Sequence, residues 1–409
     1  VYACMVHGAF LSLLDGVGIG HNISRDKVAG VKLACLDCLL SLCPIQYRTE
    51  IQKSASFLVL PDMHEGAAKP HYEENFFVIG DYRLPVGPES ILASASYATD
   101  APTTLLNLGR IARAMSIKRP ILLEGPPGVG KTSIITHLAS LTGHKLVRIN
   151  LSEHTELSDL LGSDLPCQDD GPEGPLFKWY DGILLKAMKE GSWVLLDELN
   201  LAPQTVLEGL NACFDHREQV YLPDIGQTVA CAPSFRVFTA QNPMTEGGGR
   251  KGLPASFLSR FTRVFMESLT SSDITRILFT AYSEKFVRLD TSLELTRSLI
   301  VKMVEFVETL HRDIVVTGKY GRQGSPWEFN LRDMLRWCDS ICYGMRMGSD
   351  VYEAIMESAY LLFVLRMRSE ADREEVCRTF NAIFAVPLTV DIRPVVTLAE
   401  YGLWIGRYR

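Results

Sequence analysis

Nowhere in the sequence do about 18 apolar residues run together, the least that a membrane-spanning helix needs, so no membrane partner is expected. Basic residues are not in excess: 41 Lys and Arg face 48 Asp and Glu, for a formal net charge of −7. That argues against a broad cationic field for nucleic acid, leaving room for a local patch at most, and gives no direct nucleic-acid signal, so protein partners are the default. Ten cysteines are present, but without the paired spacing of a disulfide framework or a zinc site. Cys35 and Cys38, with Cys43 nearby, sit in an apolar run with no second pair, so buried helix thiols in a reducing compartment are expected. There is no initiator Met, basic leader or cleavage signal before Val1-Tyr-Ala-Cys4, and the chain reads as a piece of something longer.

What is present is an ordinary globular composition, 47% hydrophobic and 22% charged, long enough at 409 residues for about two to four domains. The organising stretch is Gly125-Pro126-Pro127-Gly128-Val129-Gly130-Lys131-Thr132, followed by Ser133. An apolar run, Pro120 to Glu124, precedes it, and Ile134, Ile135, Leu138 and Leu141 follow with helical spacing. Strand, glycine loop and helix in that order present backbone N–H groups to phosphates. Lys131 adds a charge for the β- and γ-phosphates, and Thr132 a hydroxyl for Mg²⁺.

A second apolar run, Ser192-Trp-Val-Leu-Leu, ends in Asp197 and Glu198. At a strand's C-terminal edge, Asp197 is placed to hold Mg²⁺ through water and Glu198 to polarise an attacking water. A third, Phe235 to Gln241, ends in Asn242, an amide able to orient the same water or touch the γ-phosphate. Pro254 to Phe261 predicts a short helix with Arg260 and Arg263 at its end, either surface ion-pairing residues or the place of an arginine acting on a neighbour's nucleotide. From Ser271 to about Phe384 the pattern is helical, with Asn330 placed to cap a helix on which Arg332 and Arg336 share a face. Those two are a solvated basic stripe or contain a lid arginine for the γ-phosphate.

Elsewhere the pattern predicts helices around Phe10–Leu14 and Val31–Leu40, a polar linker, one short strand over Phe76–Pro85, a helix from Pro102 capped by Asp100, and a helix end at Gly143. A Gly- and Pro-rich insertion over Asp159–Gly182 is either a surface loop or a pore- or partner-facing element, with Phe177–Tyr180 as a hairpin arm. Gly247–Gly252 is expected to be a mobile basic loop. Ile79-Gly-Asp-Tyr-Arg83 is echoed by Ile405-Gly-Arg-Tyr-Arg409, and Val1-Tyr2 by Val351-Tyr352, as in a tandem array.

Phosphate loop, Asp-Glu strand, Asn-ended strand, Ser-Arg-Phe helix and helical lid, in that order, resemble an AAA+ ATPase module. Asp197-Glu-Leu-Asn-Leu-Ala-Pro203, Val206-Leu-Glu-Gly-Leu-Asn211, Ala240-Gln-Asn-Pro243, Gly249-Arg-Lys-Gly252 and Trp327-Glu-Phe-Asn-Leu-Arg-Asp333 resemble the midasin family of dynein-related ATPases over about residues 76 to 385. The resemblance implies an α/β fold: a P-loop NTPase module with a parallel sheet, followed by an all-α lid. The expected division is 1–45 as the helical end of a preceding lid, 46–75 as linker, 76–268 as the nucleotide domain, 269–385 as the lid and 386–409 as the start of the next module. ATP and Mg²⁺ are the implied ligands, with Glu198, Asn242, Arg260 acting in trans and Arg332 in catalysis. The implied setting is an intramolecular ring of modules in the nucleus, releasing assembly factors from pre-ribosomal particles. A spacer module that holds nucleotide without hydrolysing it, and a dynein or MoxR-type remodelling ATPase, are the rival readings.

Overall fold

The computed structural model describes residues 8, 25–41, 70–80, 82–91, 97–171, 174–215, 217–242, 253–388, 396–399 and 402–405. They divide into two units, one of residues Val1–Ser94 with Pro102–Ser268, the other of Ala95–Ala101 with Leu269–Arg409. The helix expected around Phe10–Leu14, most of the linker and the Gly247–Gly252 loop lie outside the described residues.

The first unit opens with helix α1 (Arg25–Ser41) and a three-stranded antiparallel sheet, β1 (His71–Glu73), β2 (Phe76–Ile79) and β3 (Tyr82–Pro85). Two expectations are corrected here. Residues 71–73 end the linker as a strand, because Tyr72 pairs with Phe77 at a ring distance of 5.0 Å and its hydroxyl donates to the Leu141 carbonyl. The single strand over Phe76–Pro85 is two strands, because Gly80 takes φ +58° and turns the chain between them.

Then come α2 (Pro102–Met115), β4 (Ile121–Glu124), α3 (Lys131–Thr142), β5 (Leu146–Asn150), α4 (Leu157–Leu161), the hairpin of β6 (Gly162–Gly171) and β7 (Gly174–Asp181), α5 (Ile183–Glu190) and β8 (Trp193–Asp197). After these lie α6 (Gln204–Leu210), a second hairpin of β9 (Gln219–Leu222) and β10 (Gln227–Ala230), β11 (Arg236–Gln241), α7 (Ala255–Leu258) and β12 (Thr262–Phe265). Five strands form one parallel sheet in the order β12-β4-β11-β8-β5. Strands made of continuous apolar residues belong in such a sheet, covered on both faces.

Alternation along the strands divides the faces. Val147, Ile149, Val194, Leu196 and Val237 join a core with Leu184, Leu185 and Met188 of α5 and Leu207 and Leu210 of α6. The intervening residues, Arg148, Leu195, Asp197 and Phe238, point to the other face. Helix α3 packs on β8 and β11, with Ile134, Ile135 and Leu138 buried outside the first core. Its end is sewn to the opening sheet: Gly87 N–H donates to Thr142 O at 2.7 Å and Glu89 N–H to Gly143 O at 2.9 Å. Gly143 caps the helix at φ +66°, and a Cβ on it would lie 2.7 Å from Glu89 O.

The second unit is helical, α8 (Ser271–Val287), α9 (Leu293–Leu310), α10 (Leu331–Arg346), α11 (Val351–Ala359) and α12 (Glu370–Phe384), with π-helical turns over His311–Val316 and Tyr360–Val364. Phe306, Trp337, Phe363, Phe380 and Phe384 stack edge-on or face-on at its centre. Antiparallel β13 (Val396–Ala399) and β14 (Gly402–Ile405) close the described chain. Like β2, β14 ends in the Ile that begins Ile-Gly-x-Tyr-Arg, and like β2 it pairs with the short strand before it.

Candidate active site

The register of the parallel strands brings their C-terminal ends to one edge: Ala240 lies beside Asp197, Gln241 beside Glu124, and Asn150 beside Asp197. The residues placed by sequence at strand ends therefore meet above the sheet. The glycine loop leaves β4 at that edge. Gly125 is tightly placed, since a Cβ there would touch Met266 Cβ at 3.0 Å. Gly128 and Gly130 have φ +78° and +84°, a region that other L residues rarely enter. Pro126 and Pro127 are half-buried, Val129 is buried and Ser133 is exposed. Helix α3 begins after Gly130 with no side-chain cap, which leaves its first N–H groups for a ligand.

Lys131 Nζ donates to Asn242 Oδ1 at 2.6 Å, and to Gly125 O at 2.6 Å and Pro126 O at 3.0 Å. The loop lysine and the strand-ending amide are thus direct neighbours. Thr132 Oγ1 donates to Asp197 Oδ2 at 3.0 Å. These two are the hard oxygen donors that Mg²⁺ takes in phosphate sites. Glu198 follows in a left-handed conformation, φ +56° and ψ +44°, and its Oε2 is buried with no hydrogen-bond partner. A strained residue with an unsatisfied buried carboxylate oxygen is costly, and such costs concentrate at functional sites. The uncapped helix, the positive-φ glycines, the oxygen pair and the unsatisfied glutamate fit a Mg²⁺-nucleotide.

Two residues here escaped the sequence reading. Arg148, on β5, donates from Nη2 to the same Asp197 Oδ2 at 2.6 Å. Its position two residues before Asn150 signals this face only once the register of β5 against β8 is known. Asn200 is 3% exposed, and both polar atoms of its amide lack hydrogen-bond partners. The polar residue inside Asp197-Glu-Leu-Asn200 was a signal that could have found it.

The structure does not bring Arg260 to this edge. It follows α7, before β12, and lines a cavity of about 150 Å³ with Lys118, Arg236, Asp215, Glu218 and Cys213, where β4 and β11 begin. Burial pushes the Cys213 thiol up to about 12 and that of Cys231, also on the cavity, up to about 11, so both stay protonated at neutral pH. Arg332 belongs to the second unit. It is exposed in the first turn of α10, where its backbone N–H donates to Asn330 Oδ1 at 3.0 Å. Arg336 is also exposed and faces Asp333 at 3.7 Å. The Asp159–Gly182 insertion is the β6–β7 hairpin, with Phe177 66% exposed.

A phosphate loop feeding a helix, an amide just past the neighbouring strand and two acids at the end of the strand beyond it make the arrangement of an AAA-type module. The AAA domain of the dynein-related subfamily matches residues 120–261, and the midasin AAA lid domain matches residues 289–387. Midasin of Dictyostelium discoideum is 43% identical over 96% of this chain, and midasin of Giardia intestinalis 44% over 71%. The chain spans 6% of the length of each. The solved structure of a putative ATPase from Cytophaga hutchinsonii covers 71% of this chain and 89% of its own at 20% identity, with a TM-score of 0.34, a likeness too loose to bear on the fold. The chain belongs to the midasin family of AAA proteins.

Proposed function

We propose that this segment binds Mg²⁺·ATP and hydrolyses it as one module of a tandem ring, and that the ring works in the nucleus to release assembly factors from pre-ribosomal particles of the large subunit. The observation that carries the hydrolytic part is the meeting of Lys131, Thr132, Asp197 and Asn242 at one strand edge, beside a glutamate whose buried oxygen has no partner. The kinship with midasins supports the setting.

In this reading the N–H groups of Gly128 to Thr132 hold the β-phosphate and Lys131 turns from Asn242 onto the γ-phosphate. Thr132 and Asp197 would hold Mg²⁺, which when bound would supply charge neutralisation for the phosphates. Glu198 takes a proton from water as the water oxygen bonds to the γ-phosphorus and the bond to the β-bridging oxygen breaks, leaving ADP and phosphate. Asn242, released from Lys131, orients that water. Arg260, remote from its own loop, serves a neighbouring module's nucleotide, and Arg332 reaches the γ-phosphate from the lid.

The test is the nucleotide found at this site in the intact ring after incubation with ATP, for the parent and for Glu198→Gln. ADP in the parent and ATP in the variant are expected, with turnover at the site lowered about 100-fold or more. ATP in both would make the module a spacer that holds nucleotide without hydrolysing it.

A further inference from the structure

Asp197 Oδ2 accepts two hydrogen bonds, from the Thr132 hydroxyl at 3.0 Å and from the Arg148 guanidinium at 2.6 Å. The Asp197 side chain is 13% exposed and that of Arg148 53% exposed, so the acid is fixed within the site while its cation lies at the solvent edge. The alternation of β5 puts Arg148 on the face that carries Asp197, whereas Val147 and Ile149 on either side pack in the opposite core. Strand register therefore puts Arg148 on the face of Asp197, within reach of its carboxylate.

We infer that Arg148 is a competitor for the magnesium-holding carboxylate, setting how much Mg²⁺ the site needs before it takes nucleotide. This rests on the Mg²⁺-nucleotide reading above. The oxygen that Arg148 holds is the one turned to Thr132, the other member of the metal-holding pair. A guanidinium on that oxygen takes up its lone pair and places a like charge beside an arriving dication. The arginine must therefore yield, or share the carboxylate at a cost, when the metal binds. Being more than half exposed, it has water to turn to. The contact Arg148 makes at the site is to Asp197, and it acts through that carboxylate.

The experiment is a Mg²⁺ titration of fluorescent ADP binding to the 409-residue chain, which needs no turnover and no neighbouring module's arginine. Arg148→Gln should lower the Mg²⁺ concentration for half-maximal binding about two- to fivefold, while Arg148→Lys, which keeps the charge, stays near the parent. An unchanged or raised Mg²⁺ requirement in Arg148→Gln, with the parent still Mg²⁺-dependent, would overturn the inference and make the arginine a support for Asp197. A parent that shows no Mg²⁺-dependent binding would instead sink the nucleotide reading itself. Should the Gln variant fail to fold, Arg148→Met keeps the aliphatic stem and repeats the measurement.

Discussion

Three helices of the α/β unit begin in a different way from those of the lid. In the lid, all five described α-helices start at a side chain that accepts from the helix's own backbone: Thr270, Ser292, Asn330, Asp350 and Ser369. In the α/β unit, α3, α5 and α6 follow Gly130, Gly182 and Pro203 with no side-chain cap. A capped helix has satisfied its first N–H groups and gains about 1 kcal/mol, whereas an uncapped one keeps those donors for something else. Buried polar atoms without a hydrogen-bond partner occur in both units. Glu198 and Asn200 carry such atoms in the α/β unit and Thr291 in the lid, whose core centres on Trp337, with its indole N–H reaching Ile355 O at 3.3 Å. The lid's helices satisfy their own first N–H groups, and α3, α5 and α6 of the α/β unit leave theirs open.

Three substitutions sharpen or break that contrast. The largest effect is expected for Trp337→Ala, which empties the lid's aromatic centre and should cost about 3–5 kcal/mol. Urea denaturation followed by hydrogen exchange should show the loss concentrated in α9 to α12. A loss shared evenly with the parallel sheet would mean that the units do not stabilise separately.

Gly130→Ala comes next. Alanine at φ +84° costs about 1–2 kcal/mol of backbone strain, and the strain falls on the loop. Nucleotide affinity should drop about tenfold or more, while the lid's exchange protection stays as it was. An unaltered affinity would show that the loop's left-handed turn is not needed for phosphate.

The smallest effect is Asn330→Ala, which removes the α10 cap and should cost about 1 kcal/mol of lid stability. Nucleotide affinity should not move; a parallel fall in affinity would show the cap reaching beyond the lid.

Much of the candidate site was legible because its signals are local. Glycines that need positive φ, apolar strands that end in acids or an amide, and capping residues such as Asn330 all declare themselves within a few positions. The meeting of Lys131 with Asn242 was not legible, because it rests on β11 lying beside β4, an order that only the sheet sets. Arg148 was not legible, because its partner lies on another strand and its face depends on register. The β9–β10 hairpin was missed although Pro223-Asp-Ile-Gly226 marks its turn, with Gly226 at φ +63°. Polar, Pro-containing sequence also hid β1, whose pairing rests on Tyr72 finding Phe77 and Leu141 well along the chain. The Asp159–Gly182 insertion read equally as a surface loop or a pore- or partner-facing element, and its expected hairpin arm, Phe177–Tyr180, lies in β7, paired with β6.

The three carbonyls at the far end of α3, those of Leu141, Thr142 and Gly143, are met by Tyr72, Gly87 and Glu89. The rod behind the phosphate loop is thus clasped at its tail by chain made before it. Until that clasp closes, those carbonyls face water, and a chain cut between Glu73 and Phe76 would lose the first of its three rivets while keeping the loop sequence whole.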